Sequence, residues 1–136
     1  MKKTLFAVVL ISTSLDAFAD PWCVYQARIS EADKTNSQGV YLPKSGSNVA
    51  TVAAIIRQDR ANYHEFKIRD KDDEDDCAFS LKSNRIAMEE MLKNGEVAAD
   101  AMRTIVQGNP LIRVQVYRDH VNITIVDSQA PRSTVR

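Results

Sequence analysis

Residues 83–107 constrain the fold most, because their apolar side chains recur every three or four residues. That is the spacing of one face of an α-helix, and charged side chains fill the opposite face. The apolar positions are Met88, Met91, Leu92, Gly95, Ala98, Ala99, Met102, Ile105 and Val106. Ser83 or Asn84 can cap the first turn, while Gly108 and Pro110 favour a stop. The pattern predicts one long amphipathic helix lying on the rest of the domain.

Gly95 falls in the middle of this predicted helix. Glycine costs up to about 1 kcal/mol relative to alanine in a helix interior. Its presence there indicates either a break in the helix or a close approach by another stretch of backbone. The sequence leaves both interpretations open.

The first 19 residues have the three parts of a secretory signal peptide. Lys2 and Lys3 form a basic head, residues 5–11 are apolar, and residues 17–19 match the small-x-small motif that a signal peptidase cleaves. The apolar run is too short to span a bilayer. We therefore expect cleavage near Ala19 and a secreted or periplasmic protein without a membrane span. An uncleaved anchor or a buried N-terminal helix is the alternative.

Cleavage there would leave 117 of the 136 residues, with 16 basic and 17 acidic side chains. That length fits a single domain, which we place at residues 20–126, followed by a flexible tail over residues 127–136. The balanced charge lacks the positive excess that neutralises a phosphate backbone, so nucleic acid is not an expected partner.

The chain has two cysteines, Cys23 and Cys77. An even count in an oxidising compartment predicts a disulfide, and only one pairing is possible. Closing a loop of about 55 residues contributes about 4 kcal/mol in the chain-entropy model. A redox pair or a metal site is the alternative, but neither a Cys-x-x-Cys spacing nor nearby histidines support it.

Short β-like runs surround the predicted helix. Before it they span residues 22–29, 39–43, 51–57, 63–69 and 77–81, and after it residues 112–116 and 121–125. The run 51–57 is either a buried strand or part of a helix, and the alternating run 63–69 after it favours a hairpin. The order predicts an α+β fold, in which one long amphipathic helix packs on a small, mostly antiparallel β-barrel.

Few residues are candidates for catalysis or metal binding. The two histidines, His64 and His120, are not accompanied by a nucleophile elbow. The acidic run 70–76 alternates carboxylates as a calcium loop does, but Asp75 stands where the EF-hand requires glycine and Leu81 where it requires glutamate. We expect no catalytic residue, no metal and no cofactor. The acidic run is predicted to be a solvated turn, with calcium binding as the alternative.

Tyr117 ends a predicted strand and is followed by Arg118, Asp119 and His120. An amphipathic ring beside hydrogen-bonding groups suits a sugar, whose C–H face stacks while its hydroxyls find donors and acceptors. A strand-end tyrosine that merely closes the rim of the barrel is the alternative.

Four stretches, in this order, resemble the receptor-binding B subunits of AB5 toxins of the cholera and heat-labile enterotoxin type. Residues 52–68 resemble the central strand pair of that family. Residues 85–88 and 101–108 resemble the start and the end of its helix. Residues 112–114 and 122–125 resemble its last two strands.

The resemblance implies an oligonucleotide/oligosaccharide-binding barrel that assembles as a homopentamer. It also implies a host cell-surface glycan as ligand and a catalytic A subunit as partner. In that family an aromatic residue in the strand after the helix stacks on a terminal sugar, which implies glycan contacts at Tyr117, Arg118 and Asp119. Further sugar contacts, at the end of the strand before the helix, are implied at Arg69 and Asp70.

The chain departs from that family at two points. Cys77 precedes the predicted helix, whereas the second cysteine of the family follows it, and Tyr117 stands where a tryptophan is expected. The size, the signal peptide and the lack of catalytic residues also fit a periplasmic immunity protein or enzyme inhibitor. In that hypothesis the acidic run 70–76 plugs a basic cleft of the target enzyme.

Overall fold

The computed structural model describes residues 19–128. The regular elements are β1 Cys23–Arg28, α1 Val49–Ala61, α2 Lys82–Ile86, α3 Met88–Asn94, α4 Ala99–Gln107, β2 Leu111–Val116 and β3 Val121–Asp127. The predicted signal peptide up to residue 18 and the predicted tail from residue 129 lie outside the described residues. Within residues 19–128, no helix combines the length and the apolar character needed to cross a membrane.

The strands form one antiparallel sheet in the order β1-β2-β3. β1 pairs with β2 from Cys23 opposite Val116 to Arg28 opposite Leu111. Buried side chains alternate with more exposed ones along both strands, as in a sheet that is covered on one face. The α+β class is confirmed. The closed barrel is not, because the sheet built from the described residues is open and has three strands.

The hairpin predicted at residues 51–69 is wrong, since this segment forms α1 and a π-helical turn, Asn62–Phe66. Asn48 caps α1, and its side-chain oxygen accepts a hydrogen bond from the Thr51 amide at 2.9 Å. The buried positions recur at helical spacing at Val52, Ile55, Ile56, Asp59, Arg60 and Tyr63. Because two charged residues complete the buried face, the apolar pattern ends early and has the length of a strand.

The single long helix predicted over residues 83–107 is also wrong. The segment forms α2, α3 and α4, with a first break at Ala87 and a second at residues 95–98. Gly95 explains the second break, because a Cβ there would lie 1.9 Å from the carbonyl oxygen of Val121. Both interpretations of Gly95 therefore hold: the helix breaks, and it breaks where another backbone segment comes close.

Beyond Gly95 the chain runs briefly beside β3. The Glu96 amide donates to the side-chain oxygen of Asn122 at 2.8 Å, and the Ile123 amide donates to the Glu96 carbonyl at 2.9 Å. A parallel bridge then joins Val97 to Ile123. These contacts hold the end of α3 against the sheet.

Two other predicted strands are not strands in the structure. Residues 39–43 contribute only an isolated bridge between Thr35 and Tyr41. Residues 77–81 form a turn that buries Phe79 and leaves Leu81 exposed. Neither segment pairs with a strand along its length. Alternating apolar and polar side chains are therefore not sufficient for a strand here, because a strand is stabilised by cross-strand neighbours.

The helices cover one face of the sheet and enclose an apolar core. The largest contributions come from Tyr25, Ile112, Val114 and Val116 of the sheet and from Ile55, Ile56, Met88, Leu92 and Ile105 of the helices. α1 lies at the centre of the helical layer and contacts α2, α3 and α4. The opposite face of the sheet carries the more polar side chains.

The predicted disulfide between Cys23 and Cys77 is confirmed, with the two Cα atoms 6.0 Å apart. It fixes the end of the acidic run 70–76 beside the start of β1. The Glu74 amide donates to the Gln26 carbonyl at 2.9 Å, and the Glu74 carboxylate accepts from the Gln26 amide at 3.1 Å. The run therefore occupies backbone groups on the edge of β1 that faces away from β2.

Candidate functional site

The candidate site begins at the turn between β2 and β3, residues 117–120. The Tyr117 amide donates to the His120 carbonyl at 2.9 Å and closes the turn. From the end of α3, the Asn94 side chain donates to the Asp119 carbonyl at 3.3 Å. A strand pair and a helix end thus hold the backbone of the turn in place.

Two of these side chains form an aromatic pair. The rings of Tyr117 and His120 are stacked with their centroids 4.3 Å apart and their planes 7° apart. Nδ1 of His120 lies 2.6 Å from the carboxylate of Asp119. This hydrogen bond holds the pKa of the exposed Asp119 carboxyl below its usual value. The turn therefore presents a flat aromatic pair next to a carboxylate that is ionised at neutral pH.

An open cleft of about 620 Å³ lies beside this pair. Asp20 and Trp22, which precede β1, line it together with the side chains of the turn. The Trp22 side chain is 66% exposed, the highest value among the large apolar residues of the described chain. A second depression, of about 410 Å³, shares Tyr117 and His120 and continues towards Asn94, Glu96 and Asn122.

The two depressions suit a ligand whose ring has an apolar face and polar substituents. The indole and the Tyr117–His120 pair offer flat surfaces, while carboxylates, amides and a guanidinium supply donors and acceptors around them. His120 already covers one face of the Tyr117 ring. The exposed indole of Trp22 is therefore the larger free stacking surface.

The sequence-predicted site residues fall into two groups. Tyr117, Arg118 and Asp119 line one cleft together. Arg69 and Asp70 do not join them. The Arg69 guanidinium lies 4.1 Å from the centre of the Tyr63 ring, and the Asp70 amide donates to Asp73 at 2.8 Å.

Asp73 binds the Arg28 amide, so Asp70 lies near the end of β1 away from Tyr117. The length of β1 separates them by about 17 Å, at about 3.3 Å per residue. Sequence reasoning did not assign Trp22 to the site, and it named His120 only as a neighbour of Tyr117. Their aromatic side chains were the available signal, but pairing β1 with β2 is what brings Trp22 next to Tyr117.

A second group of titratable side chains is buried between α1 and the acidic run. The guanidinium of Arg60, which has no exposed surface, donates to Asp59 at 2.7 Å and to Asp76 at 2.9 Å. It also lies 4.4 Å from the centre of the Tyr25 ring and 4.7 Å from that of Tyr63. This arrangement neutralises buried charge and holds α1 against the acidic run, which is a structural role.

His64, Asp75 and Asp76 each place a potential metal-binding atom within 4.8 Å of the others. The same oxygen of Asp76 already accepts from Arg60 at 2.9 Å and lies 2.7 Å from Nε2 of His64. A cation bound there would face the buried guanidinium directly. We therefore assign these three residues to the structural group around Arg60.

Comparison with known proteins gives no match, whether to a family model, to a curated protein or to a solved structure.

Proposed function

We propose that the protein is an exported, non-enzymatic carbohydrate-binding protein. The observation that carries the proposal is the cleft in which the exposed indole of Trp22 and the stacked Tyr117–His120 pair meet the charged side chains of Arg118 and Asp119. A pyranose ring has an apolar C–H face for the aromatic surfaces and hydroxyls for the charged groups. The continuation of the cleft towards Asn94 and Asn122 provides room for a second sugar unit.

A glycan array probed with the oxidised protein tests this proposal. Trp22→Ala and Tyr117→Ala should each weaken binding to any retained glycan at least about fivefold, since loss of a stacked aromatic surface costs about 1 kcal/mol or more. Tyr41→Ala is the matched control, because Tyr41 is an exposed tyrosine that does not line the cleft. Retention of no glycan, or equal binding by Trp22→Ala and the unaltered protein, would refute the proposal.

The receptor-binding B subunit of an AB5 toxin is a more specific form of this proposal. Such a subunit would bind a host cell-surface glycan as a homopentamer and deliver a catalytic A subunit. Support comes from the resembling stretches that follow residue 84 and from Tyr117, which directly follows β2. The first stretch gives none, because residues 52–68 lie mostly in α1 and the π-helical turn and do not form a strand pair. The open sheet and the three short helices do not add to that support. Native mass spectrometry of residues 20–136 tests the toxin-subunit proposal directly. A pentamer supports it, whereas a monomer that binds a glycan contradicts it and supports only the general carbohydrate-binding proposal.

A periplasmic immunity or inhibitor protein is the alternative. Its proposed plug, the acidic run 70–76, is largely bound to its own chain. Asp72 pairs with Arg28 at 2.9 Å, Asp73 accepts from the Arg28 amide, and Asp76 is buried against Arg60. Neutralising these residues would remove structural contacts, so the run is a poor candidate for a plug.

A further inference from the structure

A separate cleft lies on the helical side of the molecule, and none of its residues lines the proposed carbohydrate site. Its volume is about 270 Å³. One wall is the end of α1 with the π-helical turn, which contributes Arg57 and Phe66. The other wall is α2, which contributes Lys82 and Ile86. We call these four residues, with the Arg85–Glu65 pair between them, the cationic cleft.

Two large apolar side chains stand open to solvent in the cationic cleft. Phe66 is 48% exposed and Ile86 is 60% exposed. Phe66 is the last residue of the π-helical turn, and the next residue, Lys67, has φ 56° and ψ 30°. Lys67 is the one non-glycine residue with positive φ among residues 19–128. The backbone therefore takes an unusual course at the point where it presents an aromatic ring to solvent.

The charges of the cationic cleft are unbalanced. Arg57 and Lys82 are exposed, and neither has an ion-pair partner within the described chain. Glu65 is the carboxylate that lines the cleft, and it is paired with the guanidinium of Arg85. The cleft thus offers two unpaired cations beside two exposed apolar side chains.

The wall formed by α2 is fixed before any ligand arrives. Arg85 is 2% exposed, and its guanidinium donates to the carbonyls of Phe79 at 2.9 Å and Ser80 at 3.0 Å. These bonds anchor α2 to the turn before it and hold Lys82 and Ile86 in position. A fixed wall lowers the entropic cost of binding.

From this geometry we propose that the cationic cleft docks an acidic segment of a partner protein that carries apolar side chains. The carboxylates of the segment pair with Arg57 and Lys82, and its apolar side chains cover Phe66 and Ile86. Complementary charge sets the orientation and the association rate, while the apolar contact supplies the buried area. This surface is separate from the carbohydrate site, so a glycan and a partner protein can bind at the same time.

The test uses a blocked synthetic hexapeptide of four glutamates and two leucines as the probe. Amide shifts of the oxidised, isotope-labelled protein, recorded while the peptide is added, should change in a saturable way around Phe66, Lys82 and Ile86. The double substitution Arg57→Glu with Lys82→Glu should raise the dissociation constant at least about tenfold, and replacing the glutamates of the peptide by glutamine should do the same. The matched control, Lys44→Glu with Arg103→Glu, makes the same change in net charge at exposed cations outside the cleft and should leave binding within about twofold.

Three results would overturn the proposal. They are the absence of saturable shifts, shift changes located elsewhere on the molecule, and an equal loss of binding in the control double variant. Phe66→Ala adds a readout that a change of charge does not give. It should raise the dissociation constant of the peptide, while unchanged amide shifts far from the cleft show that the protein is still folded. A dimer that native mass spectrometry detects and that Phe66→Ala abolishes would assign the surface to a second copy of the chain and would also overturn the proposal.

Discussion

Arg60 is a fully buried residue at which several polar contacts converge. Its guanidinium binds two carboxylates and the Glu74 carbonyl and lies over two tyrosine rings. Burial raises the pKa of Asp59 well above its usual value, and the attraction of Arg60 opposes that rise. Removing the guanidinium would leave the neighbouring carboxylates buried without a cation.

We expect Arg60→Ala to lower the free energy of unfolding by about 3–5 kcal/mol, because it breaks a buried ion pair and leaves uncompensated charge. Urea denaturation followed by circular dichroism measures the change. Arg103→Ala, at an exposed arginine on α4, is the control and should shift the value by no more than about 0.5 kcal/mol. Equal stabilities of the two variants would contradict the role given to Arg60.

Gly95→Ala should also destabilise the protein, although alanine is the better helix former. The added Cβ would lie 1.9 Å from the Val121 carbonyl oxygen, so α3 or β3 must move. We expect a loss of about 1–3 kcal/mol in thermal or urea unfolding, as for other overpacked sites. Gly108→Ala is the comparison, since the Cβ added there would lie 3.1 Å from the Thr104 carbonyl oxygen, much farther than the 1.9 Å at Gly95. A gain in stability for Gly95→Ala would show that the close approach is relaxed in solution.

At the scale of the elements, the sequence predicted what depends on local pattern and failed where a contact crosses the chain. β1, β2 and β3 were predicted because apolar alternation is a local signal. The disulfide is the one contact across the chain that was predicted, because two cysteines allow only one pairing. α1 was missed because its buried face continues with two charged residues, Asp59 and Arg60. Their burial is stabilised by ion pairing that includes Asp76 of the acidic run, a contact that the local sequence does not show. The break at residues 95–98 depends on where β3 lies, and helical spacing does not report that position.

The candidate site divides in the same way. Tyr117, Arg118 and Asp119 are consecutive, so a strand end was enough to place them together. Trp22 reaches the same cleft only through the pairing of β1 with β2, a contact between opposite ends of the domain. Arg69 and Asp70 were expected there on the assumption of a strand before the helix, and that segment is the end of a helix and a turn.

The acidic run acts as the outer neighbour of β1, so Asp73→Ala should loosen that edge. The Asp73 carboxylate accepts from the amides of Arg28 at 2.9 Å and Asp70 at 2.8 Å. We expect faster amide hydrogen exchange at both residues and a loss of about 1–3 kcal/mol, since two donors lose their acceptor. Asp75→Ala is the control, because the Asp75 carboxylate accepts a hydrogen bond from the next amide in the chain, that of Asp76. Unchanged exchange at Arg28 would argue against the edge contact.

For the whole molecule, the buried carboxyl groups determine how stability depends on pH. Burial raises the pKa of Asp33 to about 6, and it raises the pKa values of Asp59 and Asp73 as well. Burial acts on Asp76 in the same direction, but hydrogen bonds from the Phe79 amide, His64 and Arg60 outweigh it and lower the pKa. A carboxyl group with a raised pKa holds its proton more tightly in the folded state, so its contribution to stability falls as pH rises from its unfolded value to its folded value.

We therefore expect the free energy of unfolding to be greatest near about pH 4. Between about pH 4 and pH 6, Asp33 alone should lower it by up to about 3 kcal/mol as the pH rises. Below about pH 4, protonation of Asp76 removes its bonds to Arg60 and reverses the trend. Urea denaturation across this range gives the curve, and Asp33→Asn should flatten the part between about pH 4 and pH 6. A maximum near neutral pH would contradict the assignment.

The pairing of β1 with β2 also has a consequence for the order in which the protein is made. More than 80 residues separate the partners, so a chain synthesised from its N-terminus exposes β1 long before β2 exists. Cys77 and the acidic run appear in between, and the Cys23–Cys77 bond can close on a chain that still has no sheet. The nascent chain can thus pair the outer edge of its first strand with the acidic run before β2, the partner on the other edge, has been synthesised. Its hydrogen-bonded sheet is completed only by the last part of the described chain to be added, and a chain cut short before Leu111 would contain no sheet at all.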